Sequence, residues 1–157
     1  MKIAGIVRES FVDGNGIRFA VFLQGCPHHC VGCHNPETWD VNGGVEASVD
    51  EVLANVGIRD AAYYEGITLS GGEPFLQQEA CIELIQVAKS RWEHWDVWCY
   101  TGYTYEEIKD EPLMKYIDVL VDGPFDISKK DMCCSFRGSS NQRILYLHDG
   151  QVYKIEY

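Results

Sequence analysis

Runs of apolar residues alternate along the chain with stretches whose apolar residues recur at helical spacing. The run at residues 17–23 is continuously β-branched and aromatic, which predicts a strand buried on both faces. The same pattern predicts strands at 2–7, 66–69, 96–100 and 117–121. Two final runs, 143–147 and 152–156, flank Asp149 and Gly150, a pair typical of a type I′ turn. They predict a C-terminal β-hairpin.

Helical signals separate these strands. Ser48 and Glu51 form a capping box, which predicts a helix from there through residue 56. Apolar spacing predicts a second helix at 77–92 and short helical turns at 105–109 and 112–115. Strands that alternate with helices indicate parallel βαβ units. The 157 residues are too few for eight such units, so we expect an α/β fold built as an open, partial βα barrel.

Four predicted strands end in residues suited to binding a ligand. These ends are a cysteine-rich loop after 17–23, Gly71-Gly72-Glu73-Pro74, Thr101-Gly102 and Asp122-Gly123. Ligands gather at the carboxyl ends of parallel strands, so we expect one site there. Gly71 and Gly72 let the backbone approach a ligand, and Glu73 adds an acceptor, although a plain strand–helix turn also explains this motif. Asp122 is a candidate for a ligand hydroxyl or cation, or for a helix cap.

Three cysteines lie close together in the loop CPHHCVGCHN, which begins at Cys26. Cys26, Cys30 and Cys33 can bind one iron–sulfur cluster, and three thiolates on four irons leave one iron without a protein ligand. Zinc is the competing interpretation, because histidines occupy the same loop. Structural zinc sites usually need a second ligand pair further along the chain, and the sequence offers none. The spacing therefore favours an iron–sulfur cluster over zinc or unliganded thiols.

Composition narrows the choice of function and compartment. The net charge of −11 argues against nucleic-acid binding and against binding to an anionic membrane surface. The sequence shows neither a membrane-spanning run nor a signal peptide, so we expect a cytoplasmic protein. Seven cysteines in that compartment indicate metal or redox chemistry rather than disulfides. We interpret Cys81 and Cys99 as buried small residues, and Cys133 with Cys134 as a second ligand set, a redox pair or an incidental neighbour pair.

The combined motifs resemble a known family. VDGNGIRF from Val12, the cysteine loop, Glu37-Thr38-Trp39 and SGGEP resemble radical S-adenosyl-L-methionine enzymes, specifically those that activate glycyl radical enzymes. YTGY from Tyr100, Val121-Asp122-Gly123 and RGSSNQ from Arg137 are similar to the group that activates anaerobic ribonucleoside-triphosphate reductase. The resemblance extends from about residue 10 to residue 142 and implies a single radical S-adenosylmethionine domain over residues 1–157.

The resemblance also implies a mechanism. Cys26, Cys30 and Cys33 would hold a [4Fe-4S] cluster whose fourth iron binds S-adenosylmethionine. An electron from reduced flavodoxin, or a similar donor, would release a 5′-deoxyadenosyl radical that takes hydrogen from a glycine of the reductase's glycyl radical subunit. By the same resemblance, Gly71, Gly72 and Glu73 face the methionine ammonium group. Gly32, Cys33 and His34 lie beside the adenine.

Other assignments remain open on the sequence alone. The partner is alternatively another glycyl radical enzyme, such as pyruvate formate-lyase. A zinc-binding interaction module without catalysis is the alternative from a different class. Asp13 and Arg18 either contact the incoming glycine segment or serve as a turn residue and an ion-pair partner. Arg137 and the polar residues after it either close the site or contact the partner protein.

Overall fold

The computed structural model describes residues 1–57 and 61–157. Its strands are β1 (Lys2–Ser10), β2 (Arg18–Leu23), β3 (Val45–Glu46), β4 (Gly66–Gly71), β5 (Asp96–Tyr100), β6 (Val119–Asp122), β7 (Arg143–His148) and β8 (Gln151–Glu156). The α-helices among these residues are α1 (Val49–Leu53), α2 (Gln78–Arg91) and α3 (Tyr105–Ile108). Short 3₁₀ helices cover Pro36–Thr38, Pro74–Gln77, Pro112–Tyr116 and Ile127–Lys129. Every strand predicted from the sequence is present, with small shifts at its ends.

All eight strands form one mixed sheet in the order β3-β1-β2-β4-β5-β6-β7-β8. The four central strands, β2, β4, β5 and β6, are parallel, and the flanking pairs are antiparallel. The predicted C-terminal hairpin is confirmed: β7 pairs with β8, and Asp149 and Gly150 both have positive φ, as a type I′ turn requires. The fold is therefore α/β around a parallel centre.

The central strands are mostly apolar because both of their faces are buried. Successive side chains of a strand point to opposite faces, so Val97 and Cys99 join the larger core, which includes α1 and α2. Trp98 lies in a smaller cluster with Val119, Val121 and Ile144. Cys81 and Cys99 are completely buried, as predicted.

Arg18 ties the amino ends of the central strands together. The side chain is completely buried, and its Nε donates to Thr68 Oγ1 at 2.7 Å. Its Nη2 donates to the Ile67 carbonyl at 2.9 Å and forms an ion pair with Asp96 at 2.5 Å. Burial is the main factor that lowers the pKa of Arg18, and Asp96 opposes it. Arg18 was considered either as a contact for the incoming glycine segment or as an ion-pair partner. The structure shows the ion pair, with Asp96.

Two local features differ from the sequence prediction. Helix α1 begins at the predicted capping box but ends at Leu53, three residues early. The side chain of Asn55 donates to the carbonyls of Glu51 and Val52, whose oxygens a longer helix would need for its own backbone bonds. Strand β3 was not predicted, because two exposed residues carry no periodic pattern. Within residues 1–57 and 61–157, no helix combines the length and hydropathy needed to cross a bilayer.

Candidate functional site

A cavity of about 590 Å³ opens at the carboxyl ends of the four parallel strands. Its wall includes residues that follow each of them: Cys26, Cys30 and Cys33 after β2, Gly71 and Gly72 at β4, Thr101 and Gly102 after β5, and Gly123 after β6. The volume lies in the range of small-molecule and cofactor sites. The four strand ends thus meet at one cavity, as their sequence positions led us to expect.

Backbone hydrogen bonds shape the cysteine loop, residues 26–34. Cys26 N donates to the Trp39 carbonyl at 3.2 Å, and Cys33 N donates to the Cys30 carbonyl at 3.0 Å. The three cysteines are half-buried. The amide of Asn35 donates to Cys33 Sγ at 3.4 Å, a contact of the kind that tunes metal-bound thiolates. The loop therefore presents three thiols to one side of the cavity.

The thiols of Cys26, Cys30 and Cys33, which line the cavity, are donors of the kind that hold an iron–sulfur cluster. In the described ranges, no three side chains of Cys, His, Asp or Glu lie close enough around one point to hold one metal ion. A four-iron cluster binds each thiolate through a different iron, so its ligands need not meet at a point. Burial raises the pKa of the Cys26 thiol, and metal binding must therefore displace its proton.

Gly71 and Gly72 allow two chain segments to come into close contact. Gly71 has a φ of 92°, and a Cβ added at Gly72 would lie 2.3 Å from the carbonyl oxygen of Gly25. Gly72 N donates to the Leu23 carbonyl and Glu73 N donates to the Gly25 carbonyl, each at 2.8 Å. The turn after β4 is thereby fastened to the start of the cysteine loop, and both glycines still line the cavity.

Glu73 lies behind this wall and is completely buried. Its carboxylate accepts hydrogen bonds from Thr101 Oγ1 at 2.9 Å, Gly102 N at 3.0 Å and Phe75 N at 3.1 Å. His28 Nε2 lies 2.8 Å from the second carboxylate oxygen. All four partners are groups of this protein. The sequence pattern predicted Glu73 as an acceptor for a ligand but did not reveal these partners.

Asp122 is likewise buried and bonded to the protein, with 1% of its surface exposed. Its carboxylate accepts a hydrogen bond from Tyr105 N, the first amide of α3, at 2.7 Å and another from Arg143 Nε at 3.0 Å. Arg143 also pairs with Glu106 at 2.8 Å. Of the roles considered for Asp122, the structure provides the contact with a helix start.

Of Gly32 and His34, only His34 lines the cavity. Gly32 is exposed with a φ of 75°, and a Cβ there would lie 2.7 Å from Ile127 Cδ1. The positive φ disfavours a larger residue at this position, and Ile127 would have to move to make room for its Cβ. His34 lines the cavity, and its ring centroid lies 5.1 Å from that of Phe125.

One wall of the cavity comes from a stretch that the sequence analysis largely missed. This covering segment, residues 124–142, contributes Phe125, Lys130, Asp131, Met132, Cys134, Ser135, Phe136, Arg137, Gly138 and Gln142. Gln142 holds the covering segment in place. Its Oε1 accepts a hydrogen bond from Gly138 N, and its Nε2 donates one to the Gly123 carbonyl. The polar run from Arg137 and the pair Cys133-Cys134 were the signals available in the sequence. Of the adjacent cysteines, Cys134 lines the cavity and Cys133 is exposed.

Apolar side chains lie exposed at the cavity mouth. Phe11, Val12 and Met132 line the cavity and are 65%, 75% and 88% exposed. Exposed apolar residues grouped beside a cavity are typical of a surface that contacts another molecule. Asp13 lines the same mouth and accepts a hydrogen bond from Ser10.

Comparison with known proteins identifies similar chains. A family model described as a 4Fe-4S single cluster domain matches residues 12–145. Anaerobic ribonucleoside-triphosphate reductase-activating proteins are similar over most of their length. The protein of Enterobacteria phage T4 is 36% identical over 144 residues, covering 89% of this chain and 90% of that protein. The protein of Vibrio cholerae serotype O1 is 38% identical over 141 residues, covering 85% of this chain and 90% of that protein.

The corresponding protein of Escherichia coli strain K12 is 36% identical over 144 residues, covering 87% of this chain and 92% of that protein. Among solved structures, QueE from Escherichia coli is similar with a TM-score of 0.45 and 20% identity. That match covers 66% of this chain and 53% of the QueE chain.

Proposed function

The chain belongs to the family of anaerobic ribonucleoside-triphosphate reductase-activating proteins, and on this basis we propose that it generates a glycyl radical on such a reductase. One observation carries the proposal: three thiols and two glycine residues share the wall of an open cavity, within a region that matches a 4Fe-4S domain. This combination suits a cluster that keeps one iron available for a further ligand.

The residues present fit both cofactors. Cys26, Cys30 and Cys33 would hold the [4Fe-4S] cluster, and S-adenosylmethionine would occupy the adjoining cavity. The backbone of Gly71 and Gly72 is the candidate partner of the methionine ammonium group, and His34 beside Phe125 is the candidate partner of the adenine. When bound, these cofactors supply one-electron cleavage of a carbon–sulfur bond and abstraction of a hydrogen atom. Reduced flavodoxin is our candidate electron donor.

The chain's own residues orient the cofactors and exclude water. The covering segment forms one wall opposite the strand ends, and Phe22, Phe125 and Phe136 give the cavity apolar surface. Apolar surface around a reactive radical limits its side reactions with solvent. The glycine turn and the cysteine loop are bonded to each other, so the two proposed cofactor sites keep a fixed separation.

The mouth suits a polypeptide substrate. A glycine Cα has no side chain to recognise, so a partner must be held by residues outside the reacting position. Phe11, Val12 and Met132 offer exposed apolar contacts where an incoming segment would pass. Apolar anchors of this kind provide much of the binding energy in protein interfaces.

We also propose the finer architecture and location expected from the sequence. The eight-stranded order ends at β3 and β8, which is compatible with an open, partial barrel. A cytoplasmic location suits three thiols that must stay reduced to serve as ligands. Both statements would be tested by an experimental structure and by localisation of the tagged protein.

The test is made on anaerobically reconstituted protein. We expect about four irons per chain, reductive cleavage of S-adenosylmethionine, and a glycyl radical signal by electron paramagnetic resonance after incubation with the reductase from the same genome. Cys30→Ala should lose all three properties, whereas Cys133→Ala, which changes an exposed cysteine, should keep them. A radical formed on pyruvate formate-lyase but not on the reductase would change the assigned partner. One tightly bound zinc per chain would refute the proposal.

A further inference from the structure

We propose that Glu73 is a positioning residue that holds the cysteine loop in place through His28, and that its carboxylate does not bind the cofactor. The inference accepts the cluster of the proposed function but concerns a different question, namely what fixes the three thiols relative to the strand ends. It replaces the expectation that the Glu73 side chain faces the methionine ammonium group.

Hydrogen bonds from the protein saturate the Glu73 carboxylate. An ionised carboxylate accepts about four hydrogen bonds. Glu73 is completely buried and already has four donors around it: Thr101 Oγ1, Gly102 N, Phe75 N and the His28 ring. These contacts are 2.8 to 3.1 Å long, so each is a proper hydrogen-bond distance. No acceptor capacity remains for a ligand ammonium group.

His28 lies within the cysteine loop, between two of the three thiols. His28 lies two residues from Cys26 and two from Cys30, so its position governs both thiols. Its ring packs edge-on against Tyr103 with centroids 4.5 Å apart. It also lies over Gly102, where an added Cβ would be 2.4 Å from the ring. The ring is therefore held on one side by Glu73 and on others by the turn after β5.

Together these contacts join three strand ends at one buried carboxylate. Glu73 belongs to the turn after β4, Thr101 and Gly102 follow β5, and His28 follows β2. Loss of one partner would leave a buried acceptor or donor unsatisfied, which is costly in an interior of low polarity. A shift of the cysteine loop therefore has to break this junction.

The experiment compares Glu73→Gln, His28→Leu and His28→Gln with the control His29→Gln. His29 is the neighbouring histidine, is exposed and lies against Trp39 instead. In metal-free protein we measure alkylation of Cys26, Cys30 and Cys33 by iodoacetamide, resolved by mass spectrometry. In reconstituted protein we measure the reduction potential and paramagnetic spectrum of the cluster, and the Kd for S-adenosylmethionine.

We expect Glu73→Gln and His28→Leu to speed alkylation of the loop thiols at least about threefold, because the loop opens more often. Both should alter the cluster spectrum in the same way, and the double variant should be no worse than either single one. His28→Gln, which retains a donor, should recover part of the effect. His29→Gln should match the wild-type protein.

Two results would overturn the inference. One is a Kd for S-adenosylmethionine weakened about tenfold or more in Glu73→Gln while thiol reactivity and cluster spectrum stay unchanged, because that is the loss expected for a charged ligand contact. The other is no change in any readout. If Glu73→Gln does not fold, the two His28 variants decide the question. The metal-free measurement needs neither cluster nor cofactor, so it remains informative even if the proposed function fails.

Discussion

Gly72 shows how the space for a single carbon atom shapes this site. A Cβ at this position would meet the carbonyl oxygen of Gly25, a backbone atom that cannot rotate away. The glycine turn was predicted from sequence as a place where the backbone approaches a ligand. The structure adds a second reason for glycine, because the turn also lies directly against the start of the cysteine loop.

We therefore expect Gly72→Ala to damage the cluster site. The added methyl group must push the cysteine loop away from β4, so iron content should fall to less than about half, with a loss of unfolding free energy of about 1–3 kcal/mol. Iron analysis and urea unfolding measure the two effects. Gly5→Ala is the matched control, because an added Cβ there meets nothing within 4 Å. Equal iron content in the two variants would contradict the steric argument.

At the scale of elements, side-chain contacts join β6, β7 and α3, which are adjacent in the fold although far apart in the sequence. Arg143 of β7 bonds to Asp122 at the end of β6 and to Glu106 in α3. Apolar periodicity predicted these elements but gave no sign of the network, because ion pairs leave no regular spacing in the sequence. Hydrogen bonding to Arg143 is the main factor that lowers the pKa of Glu106.

This network predicts a pH-dependent contribution from Glu106. Because its pKa is lowered in the fold, its stabilising effect is present above the ordinary value of 4.5 and is lost as the pH falls through the folded value. At pH 7, Glu106→Gln should lower Tm by no more than about 3 °C, since the carboxylate is largely exposed.

Thermal unfolding between pH 3 and pH 7 checks this expectation. The difference in Tm between the wild-type protein and Glu106→Gln should vanish at the acidic end. Glu83→Gln, at an exposed position of α2, should not change Tm at either pH. A difference that persists or grows at low pH would show that Glu106 stabilises the fold by some other interaction.

For the whole molecule, the sequence predicted the order of strands and helices better than the shape of the cavity. Buried strands produce continuous apolar runs, so β2, β4, β5 and β6 were recognisable, and their carboxyl ends located the site. The covering segment was recognisable only in part, through its cysteine pair and the polar run from Arg137, because its other residues follow no period. The roles of His28 and Thr101 around Glu73 also depend on distances between separate loops, which no local pattern encodes.

The chain is acidic, but the mouth of its cavity is apolar. We therefore expect a charged residue at the mouth to weaken binding of the reductase. Met132→Glu places a further negative charge among exposed apolar residues. If these residues contact the reductase, the yield of glycyl radical at limiting protein concentration should fall about tenfold, as for loss of an interface anchor. Cleavage of S-adenosylmethionine without the reductase should change much less.

Val45→Glu is the control for this measurement, because it adds the same charge at an exposed position of β3. Radical yield is recorded by electron paramagnetic resonance, and cofactor cleavage by chromatography of the products. Equal losses of radical yield in the two variants would indicate a general charge effect and would remove the cavity mouth from the interface.

The covering segment leaves the sheet at β6 and returns at β7, which are neighbouring antiparallel strands. Its length can therefore change without rerouting any strand. Met132, an exposed residue of this segment, lies at the cavity mouth, so relatives with different protein substrates are expected to differ at such exposed positions. A chimera that exchanges residues 124–142 between two relatives should keep the sheet and the three cysteines, and should inherit the donor's choice of partner.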